Sequence, residues 1–362
     1  MPRFEFATAA RIVFGPGTAA SSLSAAAKSL GRRALLVTGS QPGRWSHLID
    51  AAAIFSVTGE PTVETAREGA ALARDEACDV IVAIGGGSAI DAGKAIAALA
   101  ANPGDVLDYL EVAGAGRPLE HRPLPFIAVP TTSGTGAEVT RNAVLTSPAH
   151  GLKASLRSAW MLPTLALVDP HLTRDLPREI AAYTALDALT QLIEPFVSPR
   201  ANPFSGMAAR QGLAQCALGL RALDREAMAQ ASLLSGMALT NSGLGAVHAL
   251  ASAIGGMFPS APHGAICAAL LAPVTRINLE ALRARDPHGP ALARYEEAFA
   301  LLGGGGVEWI EETVRRLGIQ PLAHYGVDLG RAGEIAAKAQ AASSMKANPI
   351  ALTAGELTAA LR

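Results

Sequence analysis

Residues 227–275 contain no Lys, Arg, Asp or Glu, although charged residues make up 17% of the 362-residue chain. No other feature constrains the fold as tightly. A run this apolar either crosses a membrane or is buried inside protein. Here Asn241, Ser242, three prolines and several glycines interrupt it. That pattern argues against a span and predicts a buried helix or helix pair. Two imidazoles, His248 and His263, sit in this least polar segment. A histidine there is either a hydrogen-bonded packing residue or a ligand.

The first half reads as strands alternating with helices. Short apolar runs at residues 32–40, 78–88, 124–136 and 164–170 each end in Gly, Ser, Thr or Pro, as buried strands do. Helical spacing fills residues 62–77 and 89–101, and residues 144–156 predict a hairpin turning at 147–151. Strand–helix alternation implies a mostly parallel sheet. After about residue 172 the strand signal fades and helical patterns continue to the end, with Gly303 to Gly306 as a stop. The expected organisation is an α/β domain over 1–172 and a helical domain over 173–362.

Half the residues are hydrophobic, enough for a sizeable core, and the net charge of −1 gives no reason to expect nucleic acid or an anionic membrane as partner. Cys78, Cys216 and Cys267 lack any framework spacing, so reduced thiols in a cytoplasmic protein are expected. The opening "MPRFEFATAARIVFGPG" lacks the apolar core of a signal peptide.

Four stretches carry chemistry. In "AIGGGSAIDAGK" (83–94) a strand runs into Gly85, Gly86 and Gly87, and a helix opens at Ser88. Glycines admit a close backbone approach, and a helix N-terminus offers free N–H groups, a combination suited to pyrophosphate. It is not the GxGxxG fingerprint, and a plain strand–helix turn is the alternative. Asp91 and Lys94 on that helix are either local charges or cofactor contacts. In "PTTSGTGAEVT" (130–140), Thr131, Thr132 and Ser133 follow a buried strand and either face a ligand or form a polar loop. In "ALDALTQLIEP" (185–195), Asp187 and Gln191 share a helix face. An Asp in an apolar helix is costly unless paired or bound to a cation. In "HALASAIGGMFPSAPHG" (248–264), a helix end at Gly255 and Gly256 is expected to separate His248 from His263. With Asp187 they make a plausible Asp-His-His metal set.

The order of these stretches, with "FGPG" near the start and "SSMKANP" near the end, resembles the iron-containing (group III) alcohol dehydrogenases. Maleylacetate reductases, glycerol dehydrogenases and dehydroquinate synthases are their relatives. The resemblance spans nearly the whole chain. It implies an N-terminal Rossmann-like dinucleotide-binding domain, a helical metal-binding domain and an active site between them. It further implies a pyrophosphate turn at Gly85, Gly86, Gly87 and Ser88, with Thr131, Thr132 and Ser133 lining the cofactor; Gly39 and Asp91 are further candidate cofactor contacts. Asp187, His248 and His263 match metal ligands for Fe2+ or Zn2+, and NAD or NADP is the implied cofactor. A homodimer or larger homo-oligomer is also implied.

Two positions depart from the family pattern. Gln191 stands where a fourth ligand, a histidine, is usual; it is expected as a weak ligand or as a donor to bound water. Ser252 stands where many relatives have a histidine linked to proton relay; a hydroxyl can pass a proton but cannot store one near neutral pH. The loop "VTGSQPGR" (37–44) carries no carboxylate, and Arg44 could pair with a 2′-phosphate or be a surface charge. The implied activity is hydride transfer between NAD(P)H and a small alcohol or carbonyl. A maleylacetate reductase, a dehydroquinate synthase-like lyase and a weakened nucleotide-binding descendant are the alternatives.

Overall fold

The computed structural model describes residues 3–362. The chain divides into two compact units. One comprises Thr8–Thr132 and Gly136–Asp175. It holds the strands β1 (Ile12–Phe14), β2 (Ala34–Thr38), β3 (Ala53–Ser56), β4 (Val80–Gly85), β5 (Phe126–Pro130), β6 (Asn142–Ser147), β7 (Leu152–Arg157) and β8 (Leu165–Val168). Its helices are α1 (Thr18–Leu30), α2 (Val63–Asp75), α3 (Gly87–Ala101) and α4 (Val106–Tyr109). Six strands form one sheet in the order β1-β8-β5-β4-β2-β3, with every pairing parallel. β6 and β7 pair antiparallel as the expected hairpin.

The four strands legible in the sequence, β2, β4, β5 and β8, are buried at every residue. Both sheet faces are covered, so their apolar runs are continuous rather than alternating. Leu35, Ile81, Ala83, Phe126 and Ala128 pack with Ile90 and Ile96 of α3. Leu36, Val80, Val82, Ile84 and Val129 pack on the other face with Leu23 and Ala27 of α1. β2 leads outward to β3, and the chain then returns to lay β4 on the other side of β2. The β2/β4 junction is therefore the point where strand order reverses, and ligands bind outside the carboxyl ends of strands at such a point. Gly39 follows the last residue of β2, and Gly85 ends β4.

The second unit consists mainly of Leu176–Arg362 and includes Ser133–Thr135. Its helices are α5 (Arg178–Val197), α6 (Pro203–Ala222), α7 (Arg225–Ser242), α8 (Ala246–Met257), α9 (His263–Arg285), α10 (Pro290–Leu302), α11 (Gly306–Arg316), α12 (Ala332–Ala341) and α13 (Ala354–Ala360). They share one hydrophobic core. The α/β class with a parallel sheet, followed by a helical half, is the architecture the sequence implies.

The charge-free run becomes most of α7, all of α8 and the first half of α9. α9 is long and apolar enough to cross a membrane, but 72% of its most apolar window is buried within the protein. The expected helix end at Gly255 and Gly256 is corrected: α8 continues through both to Met257. Both glycines lie in its last turn, and the chain leaves the helix only before Pro259 and Pro262.

Candidate metal centre and dinucleotide turn

Three helices of the second unit bring the site together. Asp187, Gln191 and Glu194 lie at i, i+4 and i+7 on α5, one face of the helix. His248 is in the first turn of α8, and His263 opens α9. Gly264 permits the approach of α9 to α5, since a Cβ there would stand 2.7 Å from the Tyr183 carbonyl oxygen. One donor atom from each of Asp187, His248, His263 and Cys267 lies within 4.8 Å of all the others.

Asp187 is 2% exposed, His248 6% and Cys267 0%, whereas the His263 side chain is 35% exposed and forms the open side of the group. Asp187 Oδ1 and His248 Nε2 are 3.4 Å apart, and neither has a hydrogen-bond partner. A proton on Nε2 would pair these two buried atoms with each other, and a cation between them would satisfy both. The donor set, a carboxylate and two imidazoles beside a thiol, suits Fe2+ or Zn2+. The residues present therefore fit a divalent cation.

The groups around these donors fix their direction. His248 Nδ1 lies 2.6 Å from Glu194 Oε2, and Glu194 Oε1 accepts the Val247 amide at 2.7 Å. A carboxylate can only accept, so Nδ1 carries a proton, and Nε2 is the ring nitrogen turned toward the other donors, open to a proton or a cation. Asn348, within "SSMKANP", accepts the Ala246 amide at 3.1 Å and so caps the same helix end. Gln191 Nε2 donates to Asp187 Oδ2 at 3.1 Å, and Gln191 Oε1 accepts from Ser235 at 3.2 Å. Because Asp187 needs a donor, this is the amide orientation the network allows. Gln191 thus holds Asp187 through its nitrogen, while the Ser235 hydroxyl beside its oxygen also reaches the Ser232 carbonyl at 2.8 Å. Ser252 is exposed on α8, one turn after His248 and outside the buried group.

Charge complementarity follows from the same arrangement. Burial pushes the Asp187 carboxyl up, but His248 and His263 outweigh it and hold it below its ordinary value. Burial disfavours the His248 imidazolium, yet Cys267, Glu194 and Asp187 overcome this and raise its pKa well above the ordinary value. Cys267 is also the main cause of the raised His263. The site favours positive charge, whether protons or a cation.

In the other unit, α3 starts from Gly86 without a side-chain cap and with no acidic residue in its first turn. Its leading N–H groups are thus available to an anion. A Cβ at Gly85 would lie 2.5 Å from the Ala89 Cβ, and one at Gly86 would lie 3.2 Å from Thr132 Cγ2. Gly86, Gly87, Ser88, Thr132 and Gly39 are only partly covered, whereas Thr131 is buried and its amide pairs with Gly85. Ser133, assigned to the helical unit, has a buried hydroxyl without a partner. Asp91 accepts the Val144 amide at 3.1 Å and stands 3.7 Å from Lys94 Nζ. Lys94 is 1% exposed and donates to Thr140 and the Asn142 carbonyl. Asp91 and Lys94 thus fasten the hairpin to α3, a local structural role. Arg44 lies over the Trp45 ring and pairs with Asp175 at 3.0 Å.

Residues 9–170 match the model of the iron-containing alcohol dehydrogenases, and residues 181–362 match the C-terminal model of the Fe-containing alcohol dehydrogenase family. The chain belongs to this family. A 1,3-propanediol dehydrogenase of Citrobacter freundii is 39% identical over 288 residues, 74% of this chain and 73% of that enzyme. A solved 1,3-propanediol oxidoreductase superposes with a TM-score of 0.89 at 32% identity, covering 99% of both chains. A sulfoacetaldehyde reductase from Bifidobacterium kashiwanohense, solved in complex with NAD+, superposes with a TM-score of 0.86 at 26% identity, covering 100% of this chain and 98% of that one. The chain is thus an oxidoreductase of the alcohol dehydrogenase type.

Two residues that the sequence analysis does not single out, Glu194 and Cys267, stand against the Asp187, His248 and His263 group. Their signal is spacing: Glu194 is seven residues after Asp187, and Cys267 is four after His263.

Proposed function

We propose that the protein is a metal-dependent, NAD(P)-linked dehydrogenase of small alcohols, or equally a reductase of the corresponding aldehydes and ketones. The observation that carries this is the pair of buried, unpartnered atoms, Asp187 Oδ1 and His248 Nε2, converging with His263 in a family member. Asp187, His248 and His263 would hold Fe2+ or Zn2+. When bound there, the cation supplies Lewis acidity toward the alcohol or carbonyl oxygen.

Glu194 keeps His248 in the tautomer that offers Nε2, and Gln191 keeps Asp187 from turning away. The partly exposed His263 marks the side from which a small substrate reaches the site. The uncapped start of α3 and the glycines Gly85, Gly86 and Gly87 receive the pyrophosphate of the dinucleotide, with Ser88, Thr131, Thr132, Ser133 and Gly39 around it. Hydride chemistry belongs to the nicotinamide. A 2′-phosphate at Arg44 would compete with Asp175, so the loop offers no free cation that favours NADP. Similarity to 1,3-propanediol dehydrogenases supports a short-chain alcohol as substrate. Three free, buried thiols suit the cytoplasm.

His263→Ala tests the proposal. This side chain is the most exposed of the set, so the fold should survive, as judged by circular dichroism. Metal retention and turnover should then be lost together. An active His263→Ala enzyme free of metal would overturn the reading.

A further inference from the structure

We propose that Cys267 is the fourth protein donor of the cation site. The chain then holds its metal through one carboxylate oxygen, two imidazole nitrogens and one sulfur. This rests on the metal-dependent reading above and adds what this chain uses where Gln191 replaces the usual histidine.

Three observations carry it. First, Gln191 is held toward Asp187 and Ser235, its Nε2 donating to Asp187 Oδ2 at 3.1 Å and its Oε1 lying 3.2 Å from the Ser235 hydroxyl. Second, His263 and Cys267 are four residues apart at the start of α9, on one face, with Nε2 and Sγ 3.6 Å apart. Third, that sulfur is buried and belongs to the group of donor atoms, all within 4.8 Å of one another, that contains the unpartnered Asp187 Oδ1 and His248 Nε2. From ordinary bond lengths, the donor–donor edges of a tetrahedral zinc site are about 3.4 Å for nitrogen to oxygen and about 3.6 Å for nitrogen to sulfur. The observed edges are 3.4 Å for His248 to Asp187, 4.0 Å for His263 to Asp187 and 3.6 Å for His263 to Cys267. The remaining edges all lie within 4.8 Å.

The chemistry of the set changes accordingly. A thiolate is soft and favours Zn2+ or Fe2+ over Mg2+ or Mn2+. Sulfur binds a metal as thiolate, so any proton on it leaves to solvent when the metal binds.

Cobalt(II) loading of the full-length protein reads the donor set directly. The proposal predicts visible d–d bands together with a sulfur-to-cobalt charge-transfer band in the near ultraviolet. In Cys267→Ser the visible bands should remain and the charge-transfer band should vanish. Visible bands without a charge-transfer band in the unmodified protein would overturn the Cys267 assignment and leave the Asp-His-His reading intact. Failure to bind cobalt or zinc at all would overturn both. If Cys267→Ser does not fold, zinc-edge X-ray absorption of the unmodified protein decides the point. A sulfur neighbour at about 2.3 Å is expected, and a shell of nitrogen and oxygen alone would refute it.

Discussion

Replacing Glu194 by Gln should weaken metal binding although Glu194 touches no metal donor atom except through His248. The carboxylate is 6% exposed and serves two donors, the Val247 amide at 2.7 Å and His248 Nδ1 at 2.6 Å. Glutamine keeps the shape but has one acceptor atom, not two. If its oxygen stays on the Val247 amide, its NH2 faces His248 Nδ1. The imidazole must then move its proton to Nε2, the atom it needs for the metal. If the amide turns over, the NH2 faces the Val247 N–H and a buried donor loses its acceptor. Each arrangement costs about 1–3 kcal/mol. Outer partners of this kind are worth roughly 10- to 100-fold in metal affinity, or about 1.4–2.8 kcal/mol. Competition for Zn2+ against a chromophoric chelator, run on both proteins, measures this. An unchanged Kd in a folded Glu194→Gln protein would show that Glu194 does not orient His248, and the tautomer argument would fail.

Other consequences are open to measurement. Gly85→Val puts side-chain atoms where a Cβ alone already lies 2.5 Å from Ala89; NADH binding should weaken by at least about tenfold with metal content unchanged, and unaltered NADH binding would argue against the turn as the pyrophosphate site. Burial raises Glu138 to about 7, so the folded state keeps a proton that the unfolded chain releases near its ordinary 4.5. This contribution to stability is present at low pH and lost as pH rises from about 4.5 to about 7, by roughly 3 kcal/mol at most. In Tm measurements, Glu138→Gln should therefore gain on the unmodified protein across that window, and a constant difference would refute the assignment. Because His248 and His263 are both raised in the metal-free protein, Zn2+ must displace protons, so its affinity should climb with pH above the ordinary imidazole range; a flat profile in isothermal titrations would contradict this.

The legible parts of the fold were those whose burial is two-sided. β2, β4, β5 and β8 announce themselves as unbroken apolar runs because helices cover both their faces. β1 and β3, at the two edges of the sheet, left no such trace: three and four residues long, they are only partly buried. The glycine run is the junction its composition implies, but the helix begins at Gly87 rather than Ser88 because Gly86 serves as its N-cap.

At the site, Asp187, His248 and His263 stood out as polar residues in apolar surroundings. Glu194 and Cys267 did not. A glutamate near a helix end reads as a surface charge until its helix is known to be buried. A cysteine in an apolar run reads as a small hydrophobe. Their roles depend on α5, α8 and α9 meeting at one point, and that is tertiary information.

The most direct test is elemental analysis of the protein purified without chelators, combined with NAD(P)H oxidation across a panel of small aldehydes. The account predicts about one zinc or iron per chain, turnover lost on chelation, and recovery when the metal is restored. Turnover by protein that contains no metal, unaffected by chelator, would contradict it.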